Sequence, residues 1–280
     1  MTVTVDVLDR VTRVAPLGVR FWDPVVGAVV RDGLEVTLYP TGSPQLRVLA
    51  QPNPSGVYVL HSGPGLGRAA TGAGDADYWQ HIPETRDYRC AVRDTQSRYQ
   101  PVAFNARLPF EGLLQVQCAS PSPPVSAQGI ELFSAPTRAV PSAMAIIRAE
   151  LTRASTGRPA AWAMLTVEFA GAFLGRGVAD EKGRIAAIFP YPEPERRPRQ
   201  SPPESLSPPQ PSALMTWEVE VRVHHSPALA GTTLPDLCDV LMQPEARLFT
   251  SSPPEELRRT TVVLGRESYL AKSRVLVAPV

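Results

Sequence analysis

Alternation of apolar and polar residues between Ile146 and Pro192 constrains this chain more than any other feature. The stretch reads IIRAEL, then STGRPAAWAMLTVEF, then LGRGVADEKGRIAAIFPYP. In the first piece Ile147, Ala149 and Leu151 alternate with Arg148 and Glu150. In the second, Ala163, Leu165, Val167 and Phe169 alternate with Met164, Thr166 and Glu168. Side chains of a strand point to opposite faces with period two, so each piece offers one apolar face to a core. Gly157-Arg158-Pro159 and Asp180-Glu181-Lys182-Gly183 separate the pieces. Gly supplies a positive φ and Pro a fixed one, so both read as turns.

The same grammar recurs along the chain. Val3, Val5 and Val7 predict a first strand. Phe21-Trp22-Asp23-Pro24 ends another, with a turn over Val25-Val26-Gly27. Asp32-Gly33 is a two-residue turn signal, followed by Leu34, Val36 and Leu38 in alternation. Ser55-Gly56 precedes a strand over Val57 to Leu60. Gly63 to Asp77 is Gly/Ala-rich without periodicity and reads as a loop. Tyr88, Cys90 and Val92 alternate with Arg89, Ala91 and Arg93; shorter strands are predicted over Val102 to Phe104, Leu113 to Cys118 and Ile130 to Phe133. After Pro192 the run PEPERRPRQSPPESLSPPQP is too rich in Pro to donate ladder hydrogen bonds and reads as a loop inserted between strands. Trp217, Val219, Val221 and Val223 then alternate with Glu218, Glu220, Arg222 and His224. Leu234 to Met242 has helical apolar spacing, with Pro235 suited to the first helical position. Strands over Thr260 to Leu264 and Val275 to Val280 close the chain.

Three features recur in order at nearly one offset. Gly27 and Gly157 are 130 positions apart, Tyr88 and Trp217 are 129 apart, and Gly56 and Gly183 are 127 apart. A shared plan of strands and Gly turns predicts two tandem domains, 1–138 and 143–280, the second carrying the Pro-rich insertion 192–211. The fold class expected is mainly β: two tandem Ig-like or prealbumin-like β-sandwiches with Pro-rich loops and one short helix.

Gly157-Arg158-Pro159-Ala160-Ala161, the alternating strand after it, Ala179-Asp180-Glu181-Lys182-Gly183-Arg184-Ile185 and Phe189-Pro190 together resemble a transthyretin-like or carboxypeptidase-regulatory-like domain. The resemblance covers about half the chain. It implies a β-sandwich and carries little function, since such domains serve as spacers, stabilisers and adhesive modules. Ala179 stands where that pattern usually has Thr, and the Pro-rich insertion interrupts its last strands.

Net charge is +1, which excludes a global basic field for nucleic acid. No run approaches the ~18 apolar residues needed to span a bilayer. MTVTVDVLDR has neither a basic nor an apolar signal region, so the expectation is cytoplasmic synthesis without a signal peptide, with exit inside a released particle left open. Cys90, Cys118 and Cys238 show no metal spacing. A Cys90–Cys118 bridge across a sandwich is geometrically allowed; buried free thiols in a reducing cytoplasm are the preferred reading.

Catalytic chemistry finds few candidates. His224 and His225 are adjacent on a strand and point to opposite faces, so they do not chelate one ion together. Gly63-Pro64-Gly65-Leu66-Gly67 lacks the Lys and helix of a phosphate loop. Arg196-Arg197-Pro198-Arg199 and Arg258-Arg259 could grip an acidic surface, but neighbouring glutamates point to solvated loops. No catalytic, cofactor or metal residues are assigned. Tyr78 and Trp79, with Asp75 and Asp77, are the candidate partner contact, because Trp79 in DADYWQHIP is hard to bury.

The functional expectation is therefore a non-enzymatic structural or interaction subunit, with other protein subunits as partners and self-association left open. Leu132-Phe133-Ser134-Ala135-Pro136-Thr137-Arg138, with Ala179-Asp180 and Phe189-Pro190-Tyr191-Pro192, is similar to accessory proteins of bacterial contractile injection (phage-tail-like) clusters. The alternative is a carbohydrate- or surface-binding module using Tyr78, Trp79, Asp75 and Asp77.

Overall fold

Two sets of mostly antiparallel ladders, each closing on its own core, make up the described residues. The computed structural model describes residues 12–66, 70–71, 79, 84–119, 128–193, 215–251, 253–271 and 274–280. The strand expected over Val3 to Val7 and the Pro-rich run beyond 193 lie outside these residues.

The first unit comprises Met1–Gln96, Pro101–Leu132 and Leu234–Met242. Its strands are β1 (Thr12–Arg13), β2 (Leu17–Asp23), β3 (Ala28–Val29), β4 (Leu34–Pro40), β5 (Val48–Leu49), β6 (Gln51–Pro52) and β7 (Val57–Leu60). Then follow β8 (Ala70–Thr71), β9 (Arg86–Asp94), β10 (Val102–Leu108), β11 (Leu113–Leu114) and β12 (Ile130–Glu131). One sheet has the order β10-β9-β4-β5, another β11-β2-β7-β6 with β3 and β12 also on β2. Alternate residues Leu17, Val19 and Phe21 are buried, as are Val36, Leu38, Tyr58, Leu60, Cys90 and Phe104. Phe21 joins the two layers: its ring centroid lies 5.4 Å from that of Tyr58, edge to face, and 6.5 Å from that of Phe104. Asp32-Gly33 does not close a hairpin. β3 on one side pairs with β2 and β4 on the other pairs with β9 and β5, so that turn carries the chain between sheets.

The second unit comprises Ser97–Gln100, Phe133–Thr233 and Gln243–Val280. Its strands are β13 (Met144–Arg153), β14 (Met164–Phe169), β15 (Ala172–Val178), β16 (Arg184–Pro190) and β17 (Thr216–His224). They continue as β18 (Glu245–Thr250), β19 (Arg259–Val263), β20 (Ser268–Tyr269) and β21 (Val275–Pro279). The ladder runs β15-β14-β17-β18-β21-β13-β16 without a break. Strand β18 makes it continuous: it pairs with β17 at Val223↔Ala246 and His224↔Glu245, then along its length with β21. The sheet thus folds over one core in which Ile147, Leu151, Leu165, Val167, Ile185, Phe189, Val219, Val221, Val223 and Val275 all take part. Strand β14 is buried on both faces, since Met164 and Thr166 are covered as well as Leu165 and Val167. Leu165 has no exposed surface, and Leu165→Ala is expected to cost about 2–5 kcal/mol of unfolding free energy in denaturant titration. A change below about 0.5 kcal/mol, the scale of surface substitutions, would reverse the face assignment.

The two units repeat one strand plan. Antiparallel β2–β7 corresponds to β13–β16, β4–β9 to β14–β17, and β4–β5 to β14–β15. Parallel β12–β2 corresponds to β21–β13. The turns repeat atom for atom. Gly27 N donates to Asp23 O and Gly157 N to Arg153 O, both at 2.9 Å. Asn53 Oδ1 accepts from Ser55 N and Val57 N; Asp180 Oδ1 accepts from Lys182 N and Arg184 N. Such Asx turns explain why an Asn and an Asp stand at these two places.

The helix α1 (Leu237–Leu241) is shorter than expected. Asp236 caps it by accepting from Cys238 N, so Pro235 lies one residue before the cap rather than at the first helical position. Neither cysteine expectation survives intact. Cys118 is bonded to Cys238, with S–S 2.06 Å, while Cys90 is the buried free thiol. Period-two reading aims Cys90 into the core of the sandwich, away from any partner sulfur, and Cys238 reaches Cys118 only because residues 234–242 join the first unit.

Candidate functional site

Of the expected partner contact, Asp75, Asp77 and Tyr78 lie outside the described residues. Trp79 is half-buried and packs against Val14, itself 5% exposed. An indole whose ring is partly covered by its own chain presents less surface to a partner than the sequence suggests.

Leu132 to Ala135 is buried framework, whereas Thr137 is exposed. Phe133, Ser134 and Ala135 are buried. Gln100 N donates to Phe133 O at 2.8 Å, and Ala135 N to Arg98 O at 2.8 Å. The guanidinium carbons of Arg98 and Arg138 stand 5.2 and 5.0 Å from the Tyr99 ring centroid. Arg148 donates to the carbonyls of Pro136 and Arg138 and to Glu267, and that hydrogen bond holds the Glu267 carboxyl below its usual range.

A concavity opens in the second unit, where β17 changes partners. β17 pairs with β18 at its end and with β19 from Glu220↔Arg259 backwards. Between these stretches the chain detours to β21 and returns: Leu257 N donates to Leu248 O, and Val221 N receives Arg258 O as acceptor, at 2.8 and 2.9 Å. A cleft of about 540 Å³ opens at the root of the detour, over Val221, Val223 and Leu248. Arg222, Arg247, Arg258 and Arg259 line it, interleaved with Glu220, Glu245 and Glu256. Arg222 pairs with Glu168 at 3.2 Å, Arg258 with Glu256 at 3.0 Å, and Arg259 with Glu218 and Glu220 at 3.5 and 3.4 Å. Exposed pairs of this kind contribute little stability. Its polar lining consists of carboxylates and guanidinium groups, with no Ser, Cys, His or Lys side chain. Arg258-Arg259 was legible as a basic pair. Arg247 was not, because in EARLFT the apolar pair Leu248-Phe249 breaks the alternation that would mark β18.

His224 and His225 have separate surroundings. His224 Nδ1 lies 3.3 Å from Gln243 O, and Glu245, Arg222 and Arg176 face it. Arg153 faces His225. Beside them Gln243 is 5% exposed; its Oε1 accepts from Ser226 N and its Nε2 donates to Trp162 O, both at 2.8 Å. Burial lowers both imidazoles below the ordinary 6.5. The unfolded chain therefore takes up these protons more readily than the folded one. The stability associated with neutral imidazoles is fully present above about pH 6.5 and is lost as pH falls through the lower folded values. Melting temperature is expected to fall as pH drops below about 6.5, and less so in His224→Gln/His225→Gln. An equal fall in that variant would assign the effect to other groups.

Among the described residues no three His, Cys, Asp or Glu side chains group as a metal site would, and no helix is long and apolar enough to cross a membrane. No family model and no curated protein matches the chain. Two solved structures of low likeness are a streptococcal ancillary pilin and the shaft pilin SpaA of Lactobacillus rhamnosus GG, each 9% identical over 94% of this chain. The TM-scores are 0.22 and 0.23, and the matches span 63% and 98% of those chains. Likeness at that level carries no argument about shared assembly or activity.

Proposed function

We propose that the chain is a non-enzymatic structural subunit that works by surface pairing with other protein subunits of a bacterial assembly. The observation that carries this reading is the internal repeat. Two copies of one strand plan form the described framework, and their described side chains are invested in core, turns and ion pairs. What differs between the copies is the connections: β9–β10 is a short turn, whereas β17–β18 carries a helix. A rigid scaffold with variable connections is the usual architecture of an interaction protein. The mixed-charge cleft suits a protein surface better than a small anion, because Arg222, Arg258 and Arg259 already hold carboxylates that a partner would have to replace in kind.

A contractile injection particle is the specific assembly proposed, on the resemblance of Leu132 to Arg138 and of Ala179 to Pro192. Synthesis in the cytoplasm and exit within a released particle belong to the same proposal. The test is sedimentation of a lysate in which the chain is expressed with its neighbouring genes, followed by crosslinking and mass spectrometry. Co-sedimentation with sheath and tube proteins in fixed ratio is expected. Recovery as free monomer without crosslinks to other subunits would overturn the assembly reading. Co-sedimentation with a different structure would overturn the contractile reading alone.

A further inference from the structure

Residues 234–242 belong to the first unit, although β17 and β18 on either side of them belong to the second. A five-residue helix is far too short to hold itself, so what fixes this segment is its attachment. Ala103 N donates to Pro235 O at 2.9 Å, and Ala103 forms a parallel bridge with Asp236. The Asp236 carboxylate pairs with Arg89 and caps α1. Leu237, Val240 and Leu241 are buried, and Cys238 is bonded to Cys118.

Strand β10 ends its sheet; its one ladder neighbour is β9. The amide of Ala103 faces outward from that sheet, since it donates to Pro235 rather than to β9. Residues 234–236 therefore cap an edge strand, and bare strand edges are templates for unwanted pairing. The non-covalent part of the cap is the Ala103–Pro235 hydrogen bond and its bridge, the Asp236–Arg89 ion pair and the burial of Leu237, Val240 and Leu241.

We propose that the Cys118–Cys238 disulfide is a redox latch: oxidised, it holds residues 234–242 over the edge of β10, and reduced, that segment leaves and the edge is bared. Opening is a thiol–disulfide exchange. A dithiol attacks one sulfur as its thiolate and forms a mixed disulfide, the S–S bond breaks, and the released cysteine leaves as thiolate and takes a proton. The reductant's second thiolate then displaces the other cysteine. Two electrons and two protons pass to the protein, and the dithiol becomes a disulfide. Closing is the reverse with a disulfide oxidant, so the latch is shut in an oxidising compartment. Cys90 does not compete. It points into the core, whereas Arg89 beside it meets Asp236, and successive strand residues face opposite ways. Burial also pushes its thiol up to about 12. The inference concerns the first unit alone and is independent of which assembly the chain joins.

Hydrogen exchange read by mass spectrometry on the full chain tests it, with and without dithiothreitol and in Cys118→Ser. Reduction is expected to lower protection of Ala103 and of 237–242 by at least about tenfold, as local opening does, while β2, β7, β13 and β16 keep theirs. Unchanged protection at 237–242 would overturn the latch, because the segment would be held without it. Simultaneous loss across β2, β4 and β9 would overturn it in the other direction, making the bond a global staple. Three titratable thiols in denatured protein from an oxidising preparation would show that the bond does not form. If Cys118→Ser does not fold, reduced wild type decides among these outcomes.

Discussion

Deletion of Val275 to Val280 will unfold the second unit. These residues form β21, which is an interior strand rather than a free terminus. It pairs in parallel with β13 from Leu151↔Val275 to Arg153↔Val277, and antiparallel with β18 from Ala246↔Pro279 to Thr250↔Val275. Val275 and Val277 are 0% and 3% exposed. Each buried valine contributes about 1.5–3 kcal/mol of burial, and its removal leaves the backbone groups of two ladders without partners. A domain has only about 5–15 kcal/mol to lose. The truncated protein is expected to lose the strand signal and cooperative melting of that unit. A melting temperature within about 2 °C of wild type, less than a 1 kcal/mol change would give, together with lost association with other subunits, would instead mean that the strand serves a neighbour's sheet.

Strand existence was legible because the core is built from period-two faces. Ile147 and Leu151, Leu165 and Val167, and Val219, Val221 and Val223 are all read correctly as inward. The Gly turns were legible too, since Gly27, Gly56, Gly157 and Gly183 all have positive φ, a backbone that Gly adopts readily. What stayed hidden is whatever depends on distant chain. β15 and β18 escaped because Gly175 and Gly177 interrupt one pattern and Leu248-Phe249 breaks the other. Gly177 is there for packing: a Cβ would stand 2.4 Å from Ala186 O, an approach that no local pattern announces. Asp32-Gly33 was a correct turn with the wrong partners, because a turn signal does not say which sheet the next strand joins. The Cys118–Cys238 bond spans 120 residues, and spacing over such a distance carries no information. The candidate contact at Trp79 rested on its being hard to bury; the indole is partly buried and packs against Val14.

Replacing Gly183 by Ala is expected to be among the most damaging single changes in the chain, and two other glycines calibrate it. Gly183 has φ +76°, and an added Cβ would lie 2.2 Å from Leu151 O. That carbonyl does not retreat, because it accepts from Ala160 N at 2.9 Å while Leu151 N donates to Gly183 O at 2.8 Å. The turn is thus pinned against the very strand a methyl group would displace. Gly157 has φ +67° but meets nothing within 4 Å, so Gly157→Ala carries only the left-handed backbone penalty of about 1–2 kcal/mol. Gly56, which holds the corresponding turn of the first unit, has φ +76° and would meet Val29 Cγ1 at 2.8 Å. That contact is the end of a side chain and yields by rotation, so its cost is intermediate. The expected order of destabilisation is Gly157, then Gly56, then Gly183, the last at about 4 kcal/mol or more, in the range reserved for backbone strain and overpacking. Denaturant titration of the three variants checks the order. Equal losses at Gly157 and Gly183 would mean that backbone conformation alone sets the cost and that the turn does not bear on Leu151.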